Sequence, residues 1–211
     1  MYHLPIKPKN CERLGREYLY KHEIDAMLAA ARRLYPPRFN ILGSEYEEMY
    51  GHIEKYGFGF RNALLILMMY RHGLRVSEVS TLLWSHVCLK ERKVFIERQG
   101  KGIPCVHDLT AKEIEMLSTW KWHENHVFSA HGKRESLKPR AIHQIVSSAG
   151  DEARIPFPVY PHMLRYSCGH HLAAHLREPV EVQTYLGLKN LQNVKRYFET
   201  DLIEFQDMWD V

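Results

Sequence analysis

Residues 61–70 read RNALLILMMY and are apolar on almost every side. A helix that is apolar all round has to be covered by other elements, so this segment predicts a buried central helix. Its apolar run is far too short to cross a bilayer, which takes roughly 20 residues. Gly73 is suited to end the helix in a left-handed conformation. The rest of the 211-residue chain has to pack around this helix, and one domain is the economical arrangement.

Helical patterns flank this central segment on both sides. Helices are predicted over 17–34, where Pro36 and Pro37 end the pattern, over the run SEVSTLLW that follows Val76, over 110–122 with the capping box TAKE, over 139–153, and onward from Pro161 and from Pro179. Residues 38–60 contain four glycines and predict an extra loop or a short helix. Residues 1–16, with Pro5 and Pro8, predict a tethering arm.

Three short β-rich runs, WSHVCL, KVFIER and IPCVHDL, follow one another between residues 84 and 109. They predict a small antiparallel sheet, and Gly100 with Gly102 mark the tip of a hairpin. Lys101 lies between these glycines, where it could swing onto a ligand; a plain solvated turn lysine is the rival interpretation. The predicted fold is therefore mainly α with a small antiparallel three-stranded β-sheet (α+β).

The charge and the cysteines narrow the class of protein. The net charge of +4 and the pI of about 8.8 are compatible with a polyanionic partner, although many proteins without a nucleic-acid role are as basic. The four cysteines show no CxxC pair and lie far apart, which is typical of reduced thiols in a cytosolic protein. The N-terminus lacks the apolar core of a signal peptide, so a cytoplasmic location is predicted.

One face of the predicted C-terminal helices carries the residues of an anion site. His162 and Arg165 lie three residues apart and share a helix face, and Tyr197 ends a later helical segment that could return to that face. A free tyrosine has a pKa near ~10, so forming its phenolate at neutral pH costs about 4 kcal/mol. A neighbouring base and cations offset that cost, and the planar fork of arginine matches two phosphate oxygens. As a lone residue, Tyr197 would be interpreted as a packing aromatic.

Arg75 precedes the predicted helix SEVSTLLW, whose first backbone N–H groups favour an anion. Arg75 is therefore expected where a phosphate could bind. Glu78 follows three residues later and is predicted to orient this arginine or to cap its helix. An exposed helix acid is the rival interpretation of Glu78.

Three motifs stand in a fixed order along the chain: RHGLRVSEV at 71–79, HMLRYSCG at 162–169 and YLGLKNLQNVKRYF at 185–198. Together they resemble the tyrosine recombinase (phage integrase) family, and most closely its short fimbrial phase-switch members in bacteria. The likeness runs from about Arg16 to the C-terminus. None of the motifs alone would identify the family, but their ordered combination is highly specific.

The resemblance implies a role for each of five residues. Arg75 matches the first catalytic arginine, Lys101 the hairpin lysine, His162 and Arg165 the HxxR pair, and Tyr197 the nucleophile. In this family the tyrosine attacks a phosphodiester of one DNA strand, which leaves a 3′-phosphotyrosine and a free 5′-hydroxyl. A hydroxyl from a different strand then reverses the attack. Since the phosphotyrosine keeps the bond energy, the resemblance implies no ATP, metal ion or other cofactor.

Two side chains depart from the family pattern. Leu188 occupies the position of a His or Trp, and leucine can donate no hydrogen bond to a phosphate. Tyr166 replaces a commoner histidine directly after the HxxR arginine. Tyr166 is also a rival nucleophile, as are Tyr160 and Tyr185, but only Tyr197 has the family spacing. The three rivals are predicted to pack in the core.

The resemblance covers a catalytic domain alone, predicted over 17–199, because the 1–16 arm leaves no room for the separate N-terminal domain of longer recombinases. The tail over 200–211 places the apolar residues Leu202, Phe205 and Trp209 on one helical stripe. By resemblance this tail docks on a neighbouring protomer. Folding back onto its own core is the alternative.

Fourteen histidines raise the hypothesis of a metal site. The candidate clusters are His123 with His126, and His170 with His171 and His175. No carboxylate completes a ligand spacing such as HExxH. Surface or DNA-facing histidines are therefore the favoured interpretation, and no functional metal is predicted.

The leading functional hypothesis is a site-specific recombinase that acts on double-stranded DNA. By resemblance it works as a homo-oligomer, a tetramer on two DNA duplexes, with accessory DNA-bending proteins as further partners and no membrane partner. One alternative is a DNA-relaxing enzyme that resembles type IB topoisomerases. Another, favoured by Leu188, is a catalytically silent DNA-binding regulator.

Overall fold

The computed structural model describes residues 17–34, 47–100, 102–121, 125–129, 135–175 and 178–198, and over 47–56 it describes the backbone alone. The helices in these ranges are α1 (Lys21–Leu34), α2 (Glu47–His72), α3 (Val76–Ser80), α4 (Ala111–Trp120), α5 (Pro139–Glu152), α6 (Pro161–His175), α7 (Pro179–Leu186) and α8 (Lys195–Phe198). Short 3-10 turns cover Trp84–His86 and Leu191–Val194. The strands are β1 (Val87–Cys88), β2 (Lys93–Ile96) and β3 (Cys105–Asp108).

The C-terminal half of α2 forms the centre of the molecule. Its side chains from Ala63 to Met69 are buried on all sides, and α1, α4 and α6 pack around it. The predicted buried central helix is confirmed. The helix kinks at Gly57, whose φ of 68° and ψ of 167° are non-helical. Of the predicted extra loop or short helix over 38–60, residues 47–60 are helical and belong to α2, whereas Pro36, Pro37 and residues 38–46 lie outside the described residues.

The predicted α1 and α3 are longer than the observed helices. Helix α1 begins at Lys21, where the Glu23 side chain accepts from the backbone N–H of Tyr20, and the preceding N–H of Leu19 donates to the Ser167 side chain. Helix α3 ends at Ser80, so the run SEVSTLLW is only half helical. The chain turns there because the carbonyl of Leu82 accepts from Val127, which brings Leu82 into the core. Tertiary pairing thus overrides the local helical pattern.

The remaining predicted helices and the second and third predicted strands are confirmed with small changes at their ends. Of the first predicted strand, WSHVCL, Trp84–His86 form a 3-10 turn instead and Val87–Cys88 are the residues that pair with β2. Thr110 and Glu113 form the predicted capping box at the start of α4. Pro161 and Pro179 stand in the first turns of α6 and α7. The sheet is antiparallel with the order β1-β2-β3, and its longer pairing runs from Lys93↔Asp108 to Ile96↔Cys105. No helix in the described ranges is both long and apolar enough to span a membrane.

A second, smaller core joins α6, α7 and α8. It contains Cys168, Val182, Leu186, Val194 and Tyr197. Gly73 connects this core to the end of α2, because a Cβ atom there would lie only 2.5 Å from Cδ2 of Leu186. Its φ of +57° is the predicted left-handed stop of α2. This close approach brings the chain around Arg75 next to the helices that carry Arg165 and Tyr197.

Candidate active site

Arg75 lies at the N-cap position of α3 and is held there by Glu78. The backbone N–H of Arg75 donates to Oε2 of Glu78 at 2.9 Å, and its Nη1 donates to Oε1 at 2.7 Å. The Glu78 side chain is buried, so the exposed-acid interpretation is wrong and the predicted orienting and capping roles both apply. Burial alone would raise the pKa of Glu78, but the charge of Arg98 and the hydrogen bonds from Arg75 outweigh it and lower that pKa.

Arg165 is almost completely buried on α6. Its Nη1 donates to the Gly73 carbonyl and its Nη2 donates to the Leu186 carbonyl at 2.8 Å. Burial, followed by the charges of Arg98 and Arg75, lowers the pKa of Arg165 to about 10. The side chain therefore stays cationic at neutral pH while its direction is fixed by two backbone carbonyls.

Arg98 is a member of this network that the sequence motifs did not reveal. It donates through Nη1 to Oε2 of Glu78 at 2.9 Å, and its side chain is fully buried. The available signal was the two-residue period of β2, because Val94 and Ile96 point inward and Arg98 continues the same face. A charged residue at an inward-facing position requires a buried partner, which is Glu78.

His162 lies in the first turn of α6, one turn before Arg165. Its ring meets the ring of Tyr166 edge-on, with centroids 4.6 Å apart. Partial removal from water, followed by the charges of Arg165 and Arg75, lowers the pKa of His162. The imidazole is therefore neutral near pH 7 and is able to accept a proton.

Tyr197 is buried in α8 and packs on α6. Its ring crosses Gly169, where a Cβ atom would lie 2.5 Å from Cδ1 of Tyr197, and it meets the His170 ring edge-on. Burial raises the pKa of Tyr197, and the positive charge of Arg165 opposes that rise. The nucleophile candidate on α8 therefore packs on the helix that carries the HxxR pair, with Gly169 making room for the tyrosine ring.

The rival tyrosines have other partners. The Tyr166 hydroxyl accepts a hydrogen bond from Nη1 of Arg196, and its ring packs against the smaller core. The Tyr185 hydroxyl donates to the carbonyl of Arg71 at 2.9 Å, and burial raises its pKa well above the ordinary value. Tyr160 packs against the larger core. All three contact a core, as predicted.

Lys101 lies outside the described residues, but the residues that flank it are defined. The backbone of Gly102 packs on the Arg98 side chain, since a Cβ atom there would lie 2.5 Å from Cβ of Arg98. The backbone N–H of Ile103 donates to the Gly187 carbonyl at 3.1 Å. The root of the hairpin is thereby attached to the end of α7, beside the two buried arginines.

Leu188 is half-buried and packs against the smaller core, so it makes a packing contact at the position where the resemblance predicts His or Trp.

Of the first candidate histidine cluster, His123 lies outside the described residues. The histidines of the second candidate cluster have structural partners. His171 Nδ1 lies 2.6 Å from the Tyr70 hydroxyl, and His170 stacks on Tyr18. Across the part of the chain that the structure describes, no group of three His, Cys, Asp or Glu is arranged to hold a metal ion.

Replacing Gly169 with alanine is expected to slow reaction at Tyr197. Alanine favours a helix by about 1 kcal/mol over glycine, but its methyl group would enter the Tyr197 ring and displace the hydroxyl. A displacement of about 1 Å lowers a rate by roughly 10²-fold. The measurement is single-turnover formation of a covalent protein–DNA adduct.

Gly150→Ala is the matched control, because its Cβ would also meet a side chain, that of Val159, at 2.6 Å, away from Tyr197. This variant is expected to lose thermal stability and to keep the rate per folded molecule. Equal rates for Gly169→Ala and the wild type would contradict the assigned packing.

The fold is that of tyrosine recombinase catalytic domains. The structure of XerH site-specific recombinase bound to palindromic difH substrate has a TM-score of 0.68 at 19% identity, over 92% of this chain and 52% of that one. The catalytic domain of bacteriophage HP1 integrase has a TM-score of 0.59 at 17% identity, over 92% of this chain and 94% of that one. The predicted fold class is confirmed.

The chain belongs to the phage integrase family, whose model matches residues 40–202. It is similar to the type 1 fimbriae regulatory protein FimE of Escherichia coli K12, with 31% identity over 81% of this chain and 90% of that protein. It is also 26% identical to the tyrosine recombinase XerC of Rickettsia prowazekii, over 75% of this chain and 55% of that protein. The chain thus spans about half the length of XerC, and the resemblance read from its motifs is confirmed.

Proposed function

We propose that this chain is a site-specific recombinase that cuts and rejoins double-stranded DNA through a 3′-phosphotyrosine formed at Tyr197. One observation carries the proposal: Tyr197 packs on the helix that also carries His162 and Arg165. Arg75 lies two residues after Gly73, whose carbonyl accepts from Arg165. The arrangement supplies a nucleophile, a base and two cations within one domain.

The proposed reaction is an in-line displacement at phosphorus. The neutral imidazole of His162 takes the phenol proton as the Tyr197 oxygen forms its bond to phosphorus. Arg75 and Arg165 hold the two non-bridging oxygens while charge gathers on them, and each such donor accounts for about 10²-fold or more in rate. The bond to the 5′ oxygen breaks, and Lys101 donates a proton to that oxygen. The second displacement reverses these steps with a 5′-hydroxyl of another strand.

The cofactor requirement follows from this balance of bonds. One phosphodiester is exchanged for another phosphoester, so the proposed reaction needs no ATP. Arginine and lysine side chains supply the positive charge that a metal ion provides in other phosphoryl transfers. The proposed partners are therefore double-stranded DNA and further copies of the chain.

The assembly is proposed on the model of the relatives. XerH is described as bound to its difH substrate before and after cleavage. By analogy, four protomers join two duplexes, accessory DNA-bending proteins assist, and the 200–211 tail docks on a neighbouring protomer. Residues 17–199 form the catalytic domain of this proposal, the 1–16 arm precedes it, and the reaction takes place in the cytoplasm. The arm and the tail lie outside the described residues.

The test is covalent capture on a nicked duplex that contains a candidate target site, taken from inverted repeats near the encoding gene. A nick next to the scissile phosphate releases a short strand, which prevents rejoining and traps the adduct. We expect a labelled DNA species that resists denaturation and is removed by protease.

Binding to the duplex without any adduct would instead support the DNA-binding regulator, the alternative that the leucine at position 188 favours. Relaxation of supercoiled plasmid without a target site would support the topoisomerase-like activity. An exchange product between two marked duplexes distinguishes recombination from both.

A further inference from the structure

We propose that Arg98 is a positioning residue of this site: it balances the charge of Glu78, so that the charge of Arg75 stays available to the scissile phosphate. The inference rests on the proposed function and adds a residue that belongs to none of the motifs. In the part of the chain that the structure describes, Arg98 reaches Arg75 only through Glu78.

Glu78 is the centre of the charge balance. Its buried carboxylate accepts from the backbone N–H and from Nη1 of Arg75, from Nη1 of Arg98 at 2.9 Å and from the backbone N–H of Gln99 at 3.2 Å. Two guanidinium groups thus share one carboxylate, which leaves a net charge of about +1 for an incoming phosphate.

Removing the cation at position 98 would leave Arg75 as the one arginine bonded to Glu78. The Arg75–Glu78 pair would be close to neutral, and the buried carboxylate would hold its one remaining cation firmly. The Arg75 side chain is 31% exposed and therefore has room to move toward a phosphate. Its attraction to the phosphate would fall although no group that touches DNA had been changed.

Arg98 also helps to position the Arg165 side chain. The Gly73 carbonyl accepts from both arginines, at 3.2 Å from Nη1 of Arg98. At the end of α7, Arg98 Nη2 donates to the Tyr185 carbonyl at 2.9 Å, and Arg165 Nη2 donates to the next carbonyl, that of Leu186. The two side chains therefore both bridge the end of α2 to the end of α7.

The stem of Arg98 supports the hairpin root as well. A Cβ atom at Gly187 would lie 2.8 Å from Cγ of Arg98, and one at Gly102 would lie 2.5 Å from its Cβ. These two glycines let the β2–β3 connection and the end of α7 close around the arginine. A change at Arg98 therefore affects the charge at Arg75 and the packing under the hairpin, and the test has to separate the two.

The experiment measures single-turnover adduct formation on the nicked duplex at saturating protein, together with the DNA Kd and the thermal unfolding of each variant. Arg98→Met is expected to slow adduct formation by about 10²-fold, with the Kd changed much less. Arg98→Lys keeps the charge beside Glu78 and is expected to stay within about tenfold of the wild type. Arg92→Met removes an exposed arginine and is the control for net charge.

The decisive arm is the double variant Arg98→Met with Glu78→Gln. A neutral amide does not hold the charge of Arg75, so this protein is expected to form adduct faster than Arg98→Met alone. A purely structural role predicts the opposite, because a second buried change would lower the rate further. Thermal unfolding shows whether each protein is folded at the assay temperature.

Wild-type rates for Arg98→Met, or a double variant no faster than the single one, would overturn the inference. If Arg98→Met does not fold, Arg98→Lys decides: a loss of 10²-fold or more with retained charge would overturn it, and a loss below about tenfold would support it. A wild-type protein that forms no adduct would contradict the proposed function instead.

Discussion

Tyr197→Phe is expected to abolish the covalent protein–DNA adduct while DNA binding and thermal stability stay close to those of the wild type. The substitution removes one oxygen and leaves the ring, which provides the contacts with Gly169 and His170. No other group of the variant would occupy the place of the phenol oxygen. The expected loss is therefore complete, with no detectable adduct on the nicked duplex.

Tyr166→Phe is the matched control. Tyr166 lies on α6, with its ring centroid 6.1 Å from that of Tyr197 on α8, and its hydroxyl accepts from Arg196. Loss of that hydrogen bond typically costs about 1 kcal/mol, so this variant is expected to form adduct and to unfold at a slightly lower temperature. An adduct with Tyr197→Phe, or no adduct with Tyr166→Phe, would contradict the assignment of Tyr197 as the nucleophile.

The sequence predicted the parts of the fold that depend on local patterns. The apolar run at 61–70 identified the buried helix, and the TAKE box located the start of α4. The early end of α3 could not be read locally, because it depends on the bond between Val127 and Leu82, which are distant in sequence. Helix ends set by tertiary hydrogen bonds carry no local signal.

The candidate site, like the fold, could be predicted only where local sequence motifs carry the signal. Motif order predicted Arg75, His162, Arg165 and Tyr197 as site residues, and the last three lie on α6 and α8, which pack on each other. The motifs did not identify Arg98, because its role arises from a carboxylate 20 residues away and from three carbonyls in two other segments. Only the inward period of β2 pointed to it. A residue that acts through other residues is found from its contacts in the structure and not from sequence motifs.

The role of Gly169 was also out of reach from the sequence. A glycine inside a helix is unfavourable by about 1 kcal/mol, which indicates a packing reason without naming the partner. The partner is Tyr197, which approaches from a helix 26 residues later in the chain. The motif that contains Gly169 and the motif that contains Tyr197 thus pack directly against each other.

Arg165→Lys is expected to lower the rate of adduct formation by about 10²- to 10³-fold, although the substitution keeps the positive charge. The guanidinium group uses one nitrogen for the Gly73 carbonyl and another for the Leu186 carbonyl, and the proposed function assigns its remaining N–H groups to the phosphate. A lysine ammonium has three donors at a single point. It cannot reach both carbonyls and still present a paired face to two phosphate oxygens.

The same variant is expected to unfold at a lower temperature, because a buried carbonyl that loses its donor costs about 1–3 kcal/mol. Rates therefore have to be measured well below the unfolding transition and at saturating protein. Arg33→Lys, an exposed arginine on α1, controls for the exchange of one cation type for the other and is expected to match the wild type. Should Arg165→Lys form adduct at the wild-type rate, the fork of Arg165 would serve packing alone, and the second phosphate contact would have to come from a different cation.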